Sequence, residues 1–124
     1  MTTWVSDVLG DGYEQTTIPL GEDPDGEGQA EATLVRYRPA DGPVADRAVL
    51  YVHGFTDYFF QQHLAAHFAA RGFAFYALDL RKCGRSLREG QTPHFVTDLA
   101  FYDTELNAAL ALVRAEVGGG SVVL

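Results

Sequence analysis

Three apolar stretches set the frame of the chain: residues 48–52 (Ala-Val-Leu-Tyr-Val), 73–78 (Phe-Ala-Phe-Tyr-Ala-Leu) and 121–124 (Ser-Val-Val-Leu). A run that is apolar at successive positions is the pattern of a strand covered on both faces, and hence of a place inside a sheet. Two earlier stretches read differently. Residues 13–20 have the Tyr, Thr and Ile content of a strand, with Pro19 suited to a sheet edge, and residues 30–38 alternate as a strand with one buried face. Residues 21–28 between them are rich in Gly, Pro and Asp, so the pair predicts an antiparallel hairpin. The four acids of that turn, Glu22, Asp23, Asp25 and Glu27, read as a solvated tip rather than a calcium loop. Residues 39–43 break the pattern again.

Helical spacing fills the gaps between the apolar runs. Phe60, Leu64 and Phe68 at four-residue steps predict a helix over 58–70, with Thr56 or Asp57 as N-cap and Gly72 as the C′ residue. Phe95, Leu99, Tyr102, Leu106, Leu110, Val113 and Val117 predict a longer one, opened by Thr92-Pro93 and ended by Gly118-Gly119-Gly120. The first dozen residues fit either one helical turn or a loose arm on the body. Strand, helix, strand, helix, strand calls for right-handed crossovers and a parallel sheet with helices on both faces. We divide the chain into a hairpin region, 12–46, and a strand-helix-strand-helix-strand half core, 47–124, within a single partial domain. In such sheets ligands gather at the carboxyl ends of the strands, which places His53-Gly54-Phe55 and Asp79-Leu80-Arg81 together.

Composition narrows the classes. At 124 residues the chain suits one core, and 47% hydrophobic with 21% charged residues is ordinary for a folded domain. A net charge of -8 without a basic cluster argues against nucleic acid or anionic lipid as partner. The single cysteine, Cys83, excludes an internal disulfide framework and a Cys-rich zinc site, and fits a reducing cytoplasm. No apolar stretch nears the roughly 20 residues that span a bilayer, and Met1-Thr2-Thr3-Trp4 starts no signal peptide, so we expect a cytoplasmic protein without stable membrane anchoring.

Several residue types invite chemistry and are set aside. Gly84-Arg85-Ser86-Leu87-Arg88 is one residue short of Gly-x-Ser-x-Gly, but it lies in a polar loop, whereas a nucleophile elbow passes directly from buried strand to helix. Ser86 is therefore read as a loop-stabilising hydroxyl. Cys83 has no His partner indicated in sequence, so it is not read as a thiol nucleophile. His63 and His67 stand four apart on one helix face, but His-Glu-x-x-His is absent and an exposed helix surface accounts for them. No metal or cofactor is expected.

The order of segments does resemble a known family. The hairpin, Val-Leu-Tyr-Val-His-Gly-Phe, a helix, a strand ending Leu-Asp-Leu-Arg, then Lys-Cys-Gly-Arg-Ser and a long helix containing Thr97-Asp98-Leu99 are similar to the amino-terminal part of an α/β-hydrolase. Within that superfamily the chain is most similar to the monoacylglycerol lipase, lysophospholipase and serine aminopeptidase group. The resemblance implies that the backbone N–H of Phe55 is half of an oxyanion hole, with Gly54 permitting close approach and His53 holding the loop. It implies that Asp79 and Arg81 tie a loop of the form Asp-x-Arg-Gly-x-Gly-x-Ser to its neighbours, although Lys82 stands where Gly is usual and Cys83 where His or another large residue is. Tyr58 and Phe59 are expected to line the substrate site.

The same resemblance places the nucleophile, the acid and the base beyond Leu124, with residues 121–124 read as the strand that leads to the elbow. The expected function is the amino-terminal segment of a cytoplasmic serine hydrolase acting on carboxylic esters, lipid and lysolipid esters included, with the 124 residues inactive alone. An unpaired strand edge would then require the rest of the fold or a second copy, and the isolated polypeptide is expected to aggregate or dimerise. Two alternatives stay open. One is a noncatalytic fragment or interaction module that pairs through its exposed sheet edge; the other is a different reaction on the same fold, by a peptidase, haloperoxidase, epoxide hydrolase, dehalogenase or C–C hydrolase.

Overall fold

The alternating stretches pair first. In the computed structural model, which describes residues 2–39, 45–118 and 120–124, β2 (Tyr13–Glu22) and β3 (Gln29–Tyr37) form the antiparallel hairpin. Tyr13 sits opposite Tyr37, and their rings stack with centroids 4.5 Å apart. The register shifts between Pro19 and Gly21, where β2 has run past its short neighbour β1 (Val5–Ser6) and the missing proline N–H costs no ladder bond. The amino-terminal arm is thus a strand of two residues, neither a helical turn nor a loose arm.

The apolar runs become β4 (Arg47–Val52) and β5 (Ala74–Asp79), and β6 (Ser121–Val123) follows. The six-stranded sheet has the order β1-β2-β3-β5-β4-β6, with β4 parallel to both β5 and β6 and β5 antiparallel to β3. Alternate residues of the central strands point to opposite faces. Ala48, Leu50, Tyr76 and Leu78 pack with Ala109 and Val113 of α2 (Asp103–Glu116) and with Val117 just past its end, while Val49, Phe75 and Ala77 pack with Ala65 of α1 (Gln62–Ala69) and with Phe59. This two-sided burial is why residues 48–52 and 73–78 carry no polar alternation. At the far end of α2, Glu116 accepts hydrogen bonds from Arg36 and Tyr76, both at 2.6 Å, and so pins the helix to the sheet.

Both helices start later than their spacing predicts. Helix α1 begins at Gln62, with Gln61 rather than Thr56 or Asp57 at the N-cap position and no side-chain cap. The intervening residues are drawn off by Phe59, which is fully buried against Tyr51 and Phe75 and whose N–H donates to the Asp79 carboxylate at 2.8 Å. Its end follows the expectation: Gly72, at φ +83°, lets the Phe73 and Gly72 N–H groups bond back to Phe68 and Ala69, and the Phe68 and Phe73 rings meet. Helix α2 begins at Asp103, after a 3₁₀ turn over Leu99–Tyr102 capped by Asp98. Residues 92–98 do not continue the helix, because Thr92 and Thr97 bond instead to Glu27 and Asp25 of the hairpin turn. Thr92-Pro93 therefore opens no helix, and Phe95 and Leu99 stand exposed. The pattern break expected over 39–43 lies almost wholly outside the described residues.

Candidate functional site

From β4 the chain crosses to β5 on one side and later returns to β6 on the other, so the strand order reverses at the carboxyl end of β4. That is where open α/β sheets leave a crevice. His53 is buried there. Its Nδ1 lies 2.8 Å from the Gly54 carbonyl oxygen, and its Nε2 accepts the Leu80 N–H at 3.1 Å. The proton therefore resides on Nδ1, and the ring joins the ends of β4 and β5 with neither nitrogen left for a reacting group.

Beyond His53 the backbone opens outward. Phe55 is 84% exposed, and its N–H donates to no acceptor among the described residues. Thr56 adopts φ +58°, which turns the chain sharply after it. Gly54 has no left-handed angle, and a Cβ built on it would meet nothing within 4 Å. Nothing inside the described chain demands glycine at this position, so the room it leaves faces outward, beside a bare N–H.

Asp79 ends β5, fully buried. One of its oxygens takes the Phe59 N–H, and the other takes the Arg85 N–H and guanidinium, each at 3.0 Å. Arg85 also grips Asp7 at 2.6 and 2.9 Å, fastening the amino-terminal arm. Arg81 reaches the other way: its guanidinium and its own N–H both bond to Glu105 of α2, at distances down to 2.6 Å, and it donates to the Phe101 carbonyl. Asp79 and Arg81 thus fasten the loop after β5 on two sides.

Lys82 is one of the two residues that depart from the resemblance, and its backbone explains how it fits. It has φ +61°, a left-handed angle open to glycine at no cost and carrying a penalty of about 1–2 kcal/mol for any other residue. The side chain offsets this. Its ammonium, 0% exposed, lies 2.6 Å from Asp23 and 2.8 Å from Glu27, beneath the Phe95 ring. The acidic turn is accordingly a clasp and not a solvated tip: Asp23 and Glu27 hold Lys82, Asp25 holds Thr97, and Glu31 of β3 holds Arg88.

Charge pairing in the clasp moves its titration. Hydrogen bonds from Lys82 and then Thr92 bring the Glu27 carboxyl from 4.5 down to about 2. Burial pushes Asp23 up, but Lys82 and the N–H groups of Asp25 and Glu27 more than reverse it. For Lys82, burial works downward and the two carboxylates prevail upward. A depressed carboxyl contributes stability above its unfolded value that is lost as pH falls through its folded one. The clasp should therefore loosen between pH 4.5 and about 2. A carbon-13 NMR titration of Glu27 checks this: we expect a midpoint near 2 in the folded protein and a return toward 4.5 in Lys82→Met. An ordinary midpoint in the unsubstituted protein would show that the clasp does not form in solution.

The remaining candidates fall outside the site. Ser86 is buried in a 3₁₀ turn, donates to the Asp79 carbonyl at 2.7 Å and lies 3.0 Å from the Thr33 hydroxyl. Cys83 is buried, donates to the Arg81 carbonyl, and burial, with Asp79 and Glu105 nearby, pushes its thiol up to about 12. His63 and His67 are exposed, and no cluster of metal-ligating side chains occurs among the described residues. Phe59 corrects an expectation: it lies in the core beneath the site, while Phe60 is 50% exposed and pairs with Tyr58. Tyr58 is exposed. A cavity of 220 Å³ opens at the opposite end of the sheet, among Arg36, Tyr76 and Glu116, and has no geometric relation to Phe55.

Sequence reasoning missed Asp7, Glu105 and the clasp. Glu105 left a trace, since a carboxylate between Tyr102 and Ala109 interrupts the apolar stripe of its helix and asks for a buried cation.

No protein-family model matches the sequence, and no curated protein does. Solved structures do. The chain superimposes on a cold-adapted esterase from an Arctic intertidal metagenomic library with a TM-score of 0.59, at 22% identity, over 97% of this chain and 53% of that one. A hypothetical protein from Pseudomonas aeruginosa gives a TM-score of 0.54, at 20% identity, over 87% of this chain and 32% of that one. The fold is the amino-terminal part of an α/β-hydrolase. The chain thus spans about half and about a third of the two proteins. No helix among the described residues is long and apolar enough to cross a membrane.

Proposed function

We propose that residues 1–124 are the amino-terminal segment of a serine hydrolase acting on carboxylic esters, in which the Phe55 N–H helps to stabilise the tetrahedral oxyanion. The observation that carries this reading is the pairing of an unbonded N–H at Phe55 with the outward-facing room at Gly54, set at the strand-order reversal. A donor held rigidly before reaction stabilises developing charge without reorganising, and one such donor lowers the barrier by roughly 2.7–4 kcal/mol. Here the rigidity comes from the His53 bridge to Leu80.

The second donor and the nucleophile would come from the turn that follows β6 in this fold, and the acid and base from further along. The rest of the hydrolase is therefore the partner this segment needs. Lipid and lysolipid esters are the substrate class we favour, with the exposed rings of Phe55, Tyr58 and Phe60 as apolar surface for an acyl chain.

A fluorophosphonate probe tests the reading. Full-length protein should be labelled at a serine after β6, and the polypeptide 1–124 alone should not be labelled, at Ser86 or elsewhere. Absence of labelling on folded full-length protein would sink the proposal in favour of a noncatalytic role or an Asp nucleophile.

A further inference from the structure

Three described residues other than glycine adopt left-handed backbone angles: Thr56, Lys82 and His94. They are far apart in sequence and meet at one place. Thr56 follows Phe55; the His94 ring packs against the Phe55 ring, with centroids 6.3 Å apart; and the His94 N–H donates to the Lys82 carbonyl at 3.0 Å. Strain of this kind costs about 1–3 kcal/mol per residue and persists only where the surroundings impose it. For Lys82 the clasp imposes it. His94 is strained as well, and its Nδ1 is buried with no hydrogen-bond partner among the described residues.

A buried, unpaired N–H is rarer in proteins than an under-used acceptor. The ring proton therefore belongs on Nε2, which is not among the buried atoms and makes no hydrogen bond to the described residues. We infer that His94 is a specificity-determining residue of the ester site, whose Nε2–H, held beside Phe55, donates to an acceptor oxygen on the substrate near its reacting carbonyl. This rests on the ester-hydrolase reading above.

The position is well fixed for such a task. His94 lies between Thr92, which bonds to Glu27 through both N–H and hydroxyl, and Thr97, which bonds to Asp25. The hairpin turn thus sets the loop, and the loop presents the imidazole. A group meant only to cover Phe55 would be served as well by an apolar ring, with no buried nitrogen left unpaired.

The test uses full-length protein and two pairs of esters. Within each pair the members differ by one ether oxygen replacing a methylene, on the acyl side in one pair and the alcohol side in the other. His94→Phe keeps a ring against Phe55 and removes the donor; it should lower kcat/KM for the ether-bearing member of one pair about tenfold relative to its partner, the worth of one hydrogen bond. His94→Gly, which also relieves the backbone, should show the same loss, so a folding defect in the first variant does not decide the matter. His94→Asn tolerates the angle, keeps a donor and should retain part of the preference. Unchanged ratios in both pairs, with hydrolysis intact, would overturn the role of His94 alone. Absence of hydrolysis and labelling in unsubstituted protein would overturn the ester-hydrolase reading and this inference with it.

Discussion

Replacing Arg81 with Met is expected to destabilise the protein by about 3–5 kcal/mol, the cost of leaving one partner of a buried ion pair uncompensated. The stranded partner is Glu105, 0% exposed, whose two oxygens are otherwise bonded by the Arg81 guanidinium and N–H. The pair joins the end of β5 to the first turns of α2, so its loss also frees the Phe101 carbonyl that Arg81 covers. The double variant Arg81→Met with Glu105→Leu should recover much of the loss, because an apolar pair of similar volume needs no desolvation of charge. Urea titrations of the three proteins make the comparison. A single-variant loss below about 1 kcal/mol, the scale of exposed pairs, would mean that water reaches this site.

Gly84→Ala should be nearly as damaging, at about 2–5 kcal/mol, for a reason unrelated to charge. Gly84 has φ +46°, and a Cβ there would lie 2.7 Å from Tyr58 Cγ, 2.8 Å from an Asp79 carboxylate oxygen, and closer still to Tyr58 Cβ. Left-handed strain of about 1–2 kcal/mol adds to overpacking of about 1–3 kcal/mol. The displaced groups belong to the site: Asp79 holds the Phe59 N–H and Arg85, and Tyr58 stands on the exposed side next to it. On the reading proposed above, ester hydrolysis by the full-length protein should therefore fall more steeply than stability. Gly54→Ala provides the contrast, since its Cβ meets only open space. Its melting temperature should stay within a degree or two while turnover drops, and an equal effect of both substitutions on stability would contradict the geometry.

The Lys82 clasp and the His94 ring show one arrangement from two ends. The hairpin turn of residues 23–28, far from the strand ends in sequence, holds the wall that faces Phe55. Acid should act on that wall first, because Asp23 and Glu27 are the carboxylates that secure Lys82.

The sequence by itself determined strands β2 to β6 and their order of appearance. Continuous apolar runs at 48–52 and 73–78 can be satisfied only by burial on both faces, and the stop at His53-Gly54 or Asp79 marks where each strand ends. These are local periodicities, and they survive folding because every neighbour demands the same face. Only the tertiary structure decided what the polar residues do. A run of acids in a turn reads as solvated until a lysine from a distant loop is seen to be buried between two of them. Phe59 and Phe60 are adjacent and equally apolar, so spacing could not say which enters the core; the Asp79 carboxylate that captures the Phe59 N–H chose, and the start of α1 moved with it. The late start of α2 has the same origin, because Thr92 and Thr97 find partners across the hairpin that a helix cannot offer. Long-range pairing of charged and polar groups leaves no period in a sequence, and in this protein it builds the walls of the site.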